Sequence, residues 1–166
     1  MKRNLGRIYA TTVGLLVLFF TFGMALSSAQ SVNASGGGRL EGTWNVRVTL
    51  RNCQTGNEIR SFDSLGIFMA GGTTIDSTSG TPQALKTPGQ GIWEHVTGDT
   101  YRFQFKSFSF DPAGNFTGWT VIRHQANLNH NANAYVSAGT AEVHAPNGAL
   151  MFVGCSTTQA TRFVFD

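Results

Sequence analysis

The segment Gly42-Thr43-Trp44-Asn45-Val46-Arg47-Val48-Thr49-Leu50-Arg51 alternates strictly between apolar and polar side chains after its opening Gly-Thr. Successive side chains of a strand point to opposite sides of the sheet. The pattern therefore predicts a strand with Trp44, Val46, Val48 and Leu50 on a buried face and Asn45, Arg47, Thr49 and Arg51 on the other. Downstream, similar stretches recur at short intervals: about 61–70, 73–77, 91–97, 100–110, 116–128, 134–144 and 149–165. Turn residues separate them, among them Gly98-Asp99, Asp111-Pro112-Ala113-Gly114-Asn115 and Pro146-Asn147-Gly148,. Tyr101, Phe103 and Phe105 share a face, but the parity blurs at Phe108 and Phe110, which predicts a bulge near Ser107,. The expected fold is all-β: an eight-stranded antiparallel up-and-down meander that closes into a barrel and so removes its edges. One irregular stretch, 78–90, is longer than the rest.

Upstream of the first strand, Lys2, Arg3 and Arg7 precede an apolar run from about Val13 to Leu26, and Ser27-Ser28-Ala29 follows. This predicts a secretory signal peptide over 1–29, too short and wrongly flanked for a membrane anchor. Residues 30–39, with Ala34-Ser35-Gly36-Gly37-Gly38, form a flexible linker, and 40–166 the barrel domain,. The expected location is secreted or periplasmic, with no membrane anchor after cleavage. The chain carries a formal charge of +3, but three of its twelve Lys and Arg residues lie in the leader, leaving nine to balance nine acids. These nine are scattered, so no nucleic-acid footprint and no polybasic membrane patch is expected. Asn33-Ala34-Ser35 and Asn115-Phe116-Thr117 match the glycosylation pattern, which matters only in a eukaryotic host,.

The only cysteines are Cys53, just after the first strand, and Cys155, within the last. In an exported protein such a pair is expected to form a disulfide, and these strands are neighbours only if the barrel closes.

Gly42-Thr43-Trp44 opening the first strand, with Arg162 near the end of the last, resembles the lipocalin and calycin pattern. That resemblance implies an eight-stranded barrel over roughly 40–166, with Arg162 packed across Trp44 as a structural plug at the closed end. Streptavidin-like barrels also begin with Gly-Thr-Trp, and Gly118-Trp119-Thr120-Val121 is similar to a fragment of their middle strands. The tryptophans that line a biotin pocket have no counterparts after Trp119. Allene oxide cyclase and dirigent barrels share the architecture alone.

Little in the chain points to catalysis. No Gly-x-Ser-x-Gly elbow occurs, both cysteines are claimed by the disulfide, and no glycine-rich segment opens a helix,. Glu94 and His95 are adjacent and must face opposite sides. Glu142 and His144 share a face and could form a cluster with His124, but exposed barrel-surface residues are the simpler expectation. His130 sits in an Asn-rich turn, and Asp76 and Asp99 fall in or near turns,. No catalytic residue, metal site or cofactor is assigned.

The aromatic content is more informative. Ten of thirteen Phe and all three Trp lie after the leader. Phe68, Trp93, Tyr101, Phe103, Phe105 and Trp119 are the candidate ligand-binding residues, with Phe62 and Phe152 as further possible liners. In a small barrel such an interior is either packed or open for one small ligand. The long 78–90 segment suits a lid or portal, with Ala84-Leu85 as an apolar tip. The expected function is binding of a small apolar or aromatic molecule, with Arg102, Arg123, Gln104 or His124 orienting one polar group. The alternatives are a cyclase-type barrel enzyme shaping a reactive apolar substrate, or a packed barrel acting as an interaction module. The oligomeric state is left open.

Overall fold

The structure, a computed structural model, describes residues 37–165. The expected signal peptide and most of the expected linker, with Asn33, lie outside the described residues. Eight strands run in chain order: β1 (Gly42–Arg51), β2 (Glu58–Met69), β3 (Thr73–Thr78), β4 (Gly89–Thr97), β5 (Thr100–Phe110), β6 (Phe116–Leu128), β7 (Ala134–His144) and β8 (Leu150–Arg162). Each pairs antiparallel with the next, and β8 returns to β1 to close the barrel. Two short 3-10 turns, Gly37–Arg39 and Gln83–Leu85, complete the described structure. The barrel is an eight-stranded antiparallel up-and-down meander, consistent with a calycin-like fold.

The strand bounds match expectation for β1, β5, β6 and β7. β2 and β4 start earlier than expected, because Glu58 pairs with Arg51 and Gly89 with Asp76. β8 stops at Arg162 rather than Phe165, since Phe163, Val164 and Phe165 extend past the β1 partner residues and stay exposed. Of the expected linker 30–39, residues 37–39 are described. Gly37–Arg39 forms a turn from which Arg39 pairs with Asp99 and donates to the carbonyls of Asn129 and His130.

The bulge expected near Ser107 is absent there. β5 stays in register with β6 through Ser109, and the shift falls between Ser109 and Phe110. Ser107 simply takes the inward place, fully buried, while Phe108 faces out and is 45% exposed. The blurred parity came from a serine inside and a phenylalanine outside. Gly118, at the other end of this ladder, has φ 128 and lies so near the His144 carbonyl that a Cβ would collide with it,.

One end of the barrel is sealed. Leu40, Trp44 and Tyr101 are fully buried there, and the Trp44 indole N–H donates to the Leu40 carbonyl at 2.9 Å. Tyr135 meets Trp44 edge-on at 4.9 Å, and Phe68 packs on Trp93, Phe103 and Tyr135. Arg162 lies over Trp44 as expected, its guanidinium 4.4 Å from the ring centre,. At the other end the Cys53–Cys155 disulfide, with Cα atoms 5.1 Å apart, ties the β1–β2 turn to β8,.

Candidate functional site in the barrel lumen

Above the sealed end the interior is open. Closure turns one face of every strand inward, so alternate residues line a common space. The resulting cavity measures about 490 Å³, within the usual size range for small-molecule sites. Phe68 and Phe103 lie toward its floor, Phe105 higher on β5, and Phe62 and Phe152 higher still. Gly66 widens it: a side chain there would meet Val46 at 3.5 Å and the Tyr135 hydroxyl at 3.8 Å.

Polar groups converge on this apolar space. β3 turns Thr74, Asp76 and Thr78 inward, paired with Phe68, Gly66 and Ser64 of β2. The Ser64 hydroxyl lies 2.7 Å and 3.0 Å from the Asp76 carboxylate oxygens. Burial raises the Asp76 pKa, opposed by that hydroxyl and by the charge of Lys86,. The part of Asp76 that remains accessible borders the cavity. Lys86, from the loop after the Gln83–Leu85 turn, is shifted the other way: burial lowers its pKa, partly offset by Asp76.

Tyr135 reaches the same space from β7. It is 4% exposed, and its hydroxyl lies beside Gly66 of β2. Burial, then the nearby Asp76 charge, raises its pKa. The Ser107 hydroxyl is buried without a partner at the cavity wall. An unmet buried hydroxyl favours a ligand that supplies a hydrogen-bonding atom.

His124 also faces inward, unlike the expectation of a surface position. Its Nδ1 lies 2.7 Å from Ser137 Oγ and its Nε2 2.8 Å from Ser156 Oγ, and Ser137 meets Thr158 at 2.6 Å. Burial lowers its pKa to about 4, so the ring is neutral, and too weak a base to activate Ser156 at neutral pH. The proposed Glu142/His124/His144 grouping does not form. Glu142 and His144 face outward with Arg123, on the opposite side of the sheet from His124. No group of three metal-ligating side chains occurs among the described residues.

The remaining candidates divide cleanly. Phe68, Phe103 and Phe105 line the cavity. Trp93 and Tyr101 are buried in the sealed end instead, with Trp93 donating to the Met69 carbonyl. Trp119 lies on the outer face, stacked on His144 at 5.4 Å with Lys106 over its ring at 4.2 Å. Arg102, Arg123 and Gln104 also point outward, Arg102 paired with Glu94 and Arg123 with Gln104. His95 faces Tyr101 inside, as the opposite of Glu94 must, and His130 is exposed in its turn.

Asp76, Tyr135, Lys86 and Ser107 were not legible as a group. β3 reads as a run of turn-like polar residues, and its polar face is the inward one. A broader depression of about 1190 Å³ crosses the outer face of β1, β2, β7 and β8. It lies open beside the exposed Arg47–Asp63 pair.

No family model and no curated protein matches this chain. The barrel and its lumen are the observations from which function must be argued.

Proposed function

We propose that this protein is an exported β-barrel that binds one small, largely apolar or aromatic molecule in its lumen. The cavity of about 490 Å³ between Phe68, Phe103 and Phe105 carries this reading. Its aromatic walls supply burial, worth about 25 cal/mol per Å² of apolar surface removed from water. Tyr135, Asp76 and Ser107 supply the few polar contacts that orient such a ligand. The disulfide suits an oxidising compartment,, and no helix among the described residues is long and apolar enough to cross a membrane. Together with the leader, these features support secretion or a periplasmic location. The Gly42-Thr43-Trp44 opening and Arg162 support kinship with the lipocalin and calycin barrels.

Ala141 lines the cavity, so Ala141→Trp places an indole in the lumen. An environment-sensitive apolar dye is expected to bind the parent protein at one site and to lose binding in Ala141→Trp, with the far-ultraviolet spectrum unchanged. Equal dye binding by both proteins overturns the lumen as the site.

A cyclase-type enzyme is the second reading, favoured by one observation. Asp76 is an inward carboxyl whose proton is held more tightly than usual, beside the Tyr135 phenol,. In that reading the lumen shapes a reactive apolar substrate and Asp76 exchanges a proton with it. The interaction-module alternative rested on a packed interior, which the cavity does not support.

A further inference from the structure

The nine cations of the described residues fall into three groups, of which Lys106 and Arg162 lie over the rings of Trp119 and Trp44 without a carboxylate. On the outer surface Arg39, Arg47, Arg102 and Arg123 each face a carboxylate: Asp99, Asp63, Glu94 and Glu142. Arg51, Arg60 and Lys86 border the cavity, and none of these three has an ion pair among the described residues.

Each is placed by the fold. Arg60 shares the inward face of β2 with Phe62 and Ser64, beyond the apolar wall toward the open end. Its guanidinium lies 5.1 Å from the Phe62 ring centre and donates to the Gly80 carbonyl. Arg51 ends β1, held by Thr157 Oγ1 at 2.9 Å and the Gly56 carbonyl at 3.1 Å. Lys86 is brought over the lumen by the loop that pairs with Ser109 of β5. Among the described residues the one carboxylate that borders the cavity is Asp76, deeper in the wall and already engaged by Ser64. Three cations with a single buried acid border an aromatic interior, in a domain whose formal charge is balanced overall.

We propose that the lumen takes an amphiphile with one carboxylate head, the apolar or aromatic body against Phe68, Phe103 and Phe105 and the head held between Arg60 and Lys86. This inference rests on the lumen being the binding site. The guanidinium of Arg60 suits a carboxylate because its N–H groups form a planar fork, and the lysine adds a point charge. A neutral head would leave Arg60 without a counter-charge and Lys86 with only the deeper Asp76.

Isothermal titration of the full mature protein with naphthoate and with its neutral isostere naphthamide tests this. The acid is expected to bind at least tenfold tighter than the amide. Arg60→Gln and Lys86→Gln should each remove most of that preference, weakening the acid far more than the amide. Added salt should weaken the acid more than the amide. Equal affinity for the two ligands overturns the carboxylate assignment while leaving the lumen reading intact. A preference for the acid that survives both substitutions also overturns it. Binding of neither ligand, together with no displacement of a bound apolar dye, overturns the lumen reading with it. The acid-to-amide contrast is measured on the unaltered protein, so a variant that folds poorly does not remove the test.

Discussion

The Arg162 guanidinium lies 4.4 Å from the centre of the Trp44 ring and makes three hydrogen bonds to backbone carbonyls around it. Its Nε donates to Ala132 at 2.8 Å, Nη1 to Glu41 at 2.6 Å and Nη2 to Arg39 at 2.7 Å. One side chain thus joins the incoming chain, β1, the β6–β7 turn and β8. Arg162→Ala leaves these carbonyls without that donor and uncovers the indole. A loss of roughly 2–4 kcal/mol is expected in urea unfolding. Arg162→Lys should recover only a minor part, because an ammonium cannot lie flat on the ring and reach all three acceptors. A loss under about 1 kcal/mol for Arg162→Ala would show that the seal is held by Leu40 and Tyr101 alone.

His124 makes stability depend on pH. Its folded pKa of about 4 lies below the ordinary 6.5, so the unfolded chain takes up the proton first. The contribution is whole above pH 6.5 and is lost as pH falls from there to about 4. The full loss is roughly 3 kcal/mol. His124→Gln keeps partners for Ser137 and Ser156 and should flatten this part of the curve. An unchanged slope between pH 6.5 and 4 in that variant would remove His124 as its cause.

Asp76 acts in the opposite sense. Burial raises its folded pKa above 3.8, so the folded state holds the proton more tightly. Its carboxylate costs stability at neutral pH, and that cost fades as pH falls through the raised pKa toward 3.8,. Asp76→Asn is therefore expected to melt higher than the parent at neutral pH, with the difference shrinking in acid. Lower melting at neutral pH would mean that attraction to Lys86 outweighs desolvation.

The disulfide spans 102 residues of sequence. On the chain-entropy model, closing a loop of that length constrains the unfolded state by roughly 4–5 kcal/mol. Replacing both cysteines by serine should lower the unfolding free energy by about this amount while the barrel still forms, since β1 and β8 pair along eight residues from Trp44 to Arg51. Circular dichroism through a guanidinium titration reads both quantities. Loss of the folded spectrum without denaturant would show that the β1–β8 seam does not hold without the bridge.

Much of the barrel was visible in one dimension. The alternation of β1, the turn residues at Gly98-Asp99 and Pro146-Asn147-Gly148, and the placement of Cys53 and Cys155 carry the strand count and its closure. Phe68, Phe103 and Phe105 were legible as cavity candidates because aromatic residues recur at strand spacing. Trp119 misled for the same reason. It is as aromatic as they are, yet its parity on β6 turns it toward Lys106 and His144 outside. Trp93 and Tyr101 face inward but fall at the sealed end, a difference of height that no pattern of period two encodes.

What the sequence by itself determined is local: which segments extend, where they turn, and which two faces each strand has. Those follow from sterics and from the two-residue repeat, which act within a few positions. Tertiary structure decided which face became the lumen at β3, where Asp76 rather than an apolar residue lies inside. It also decided that Tyr135 and Lys86, far apart in sequence, share one cavity with Asp76. Closure makes those choices, because the register around the ring fixes each residue's height and direction relative to residues it never neighbours in the chain.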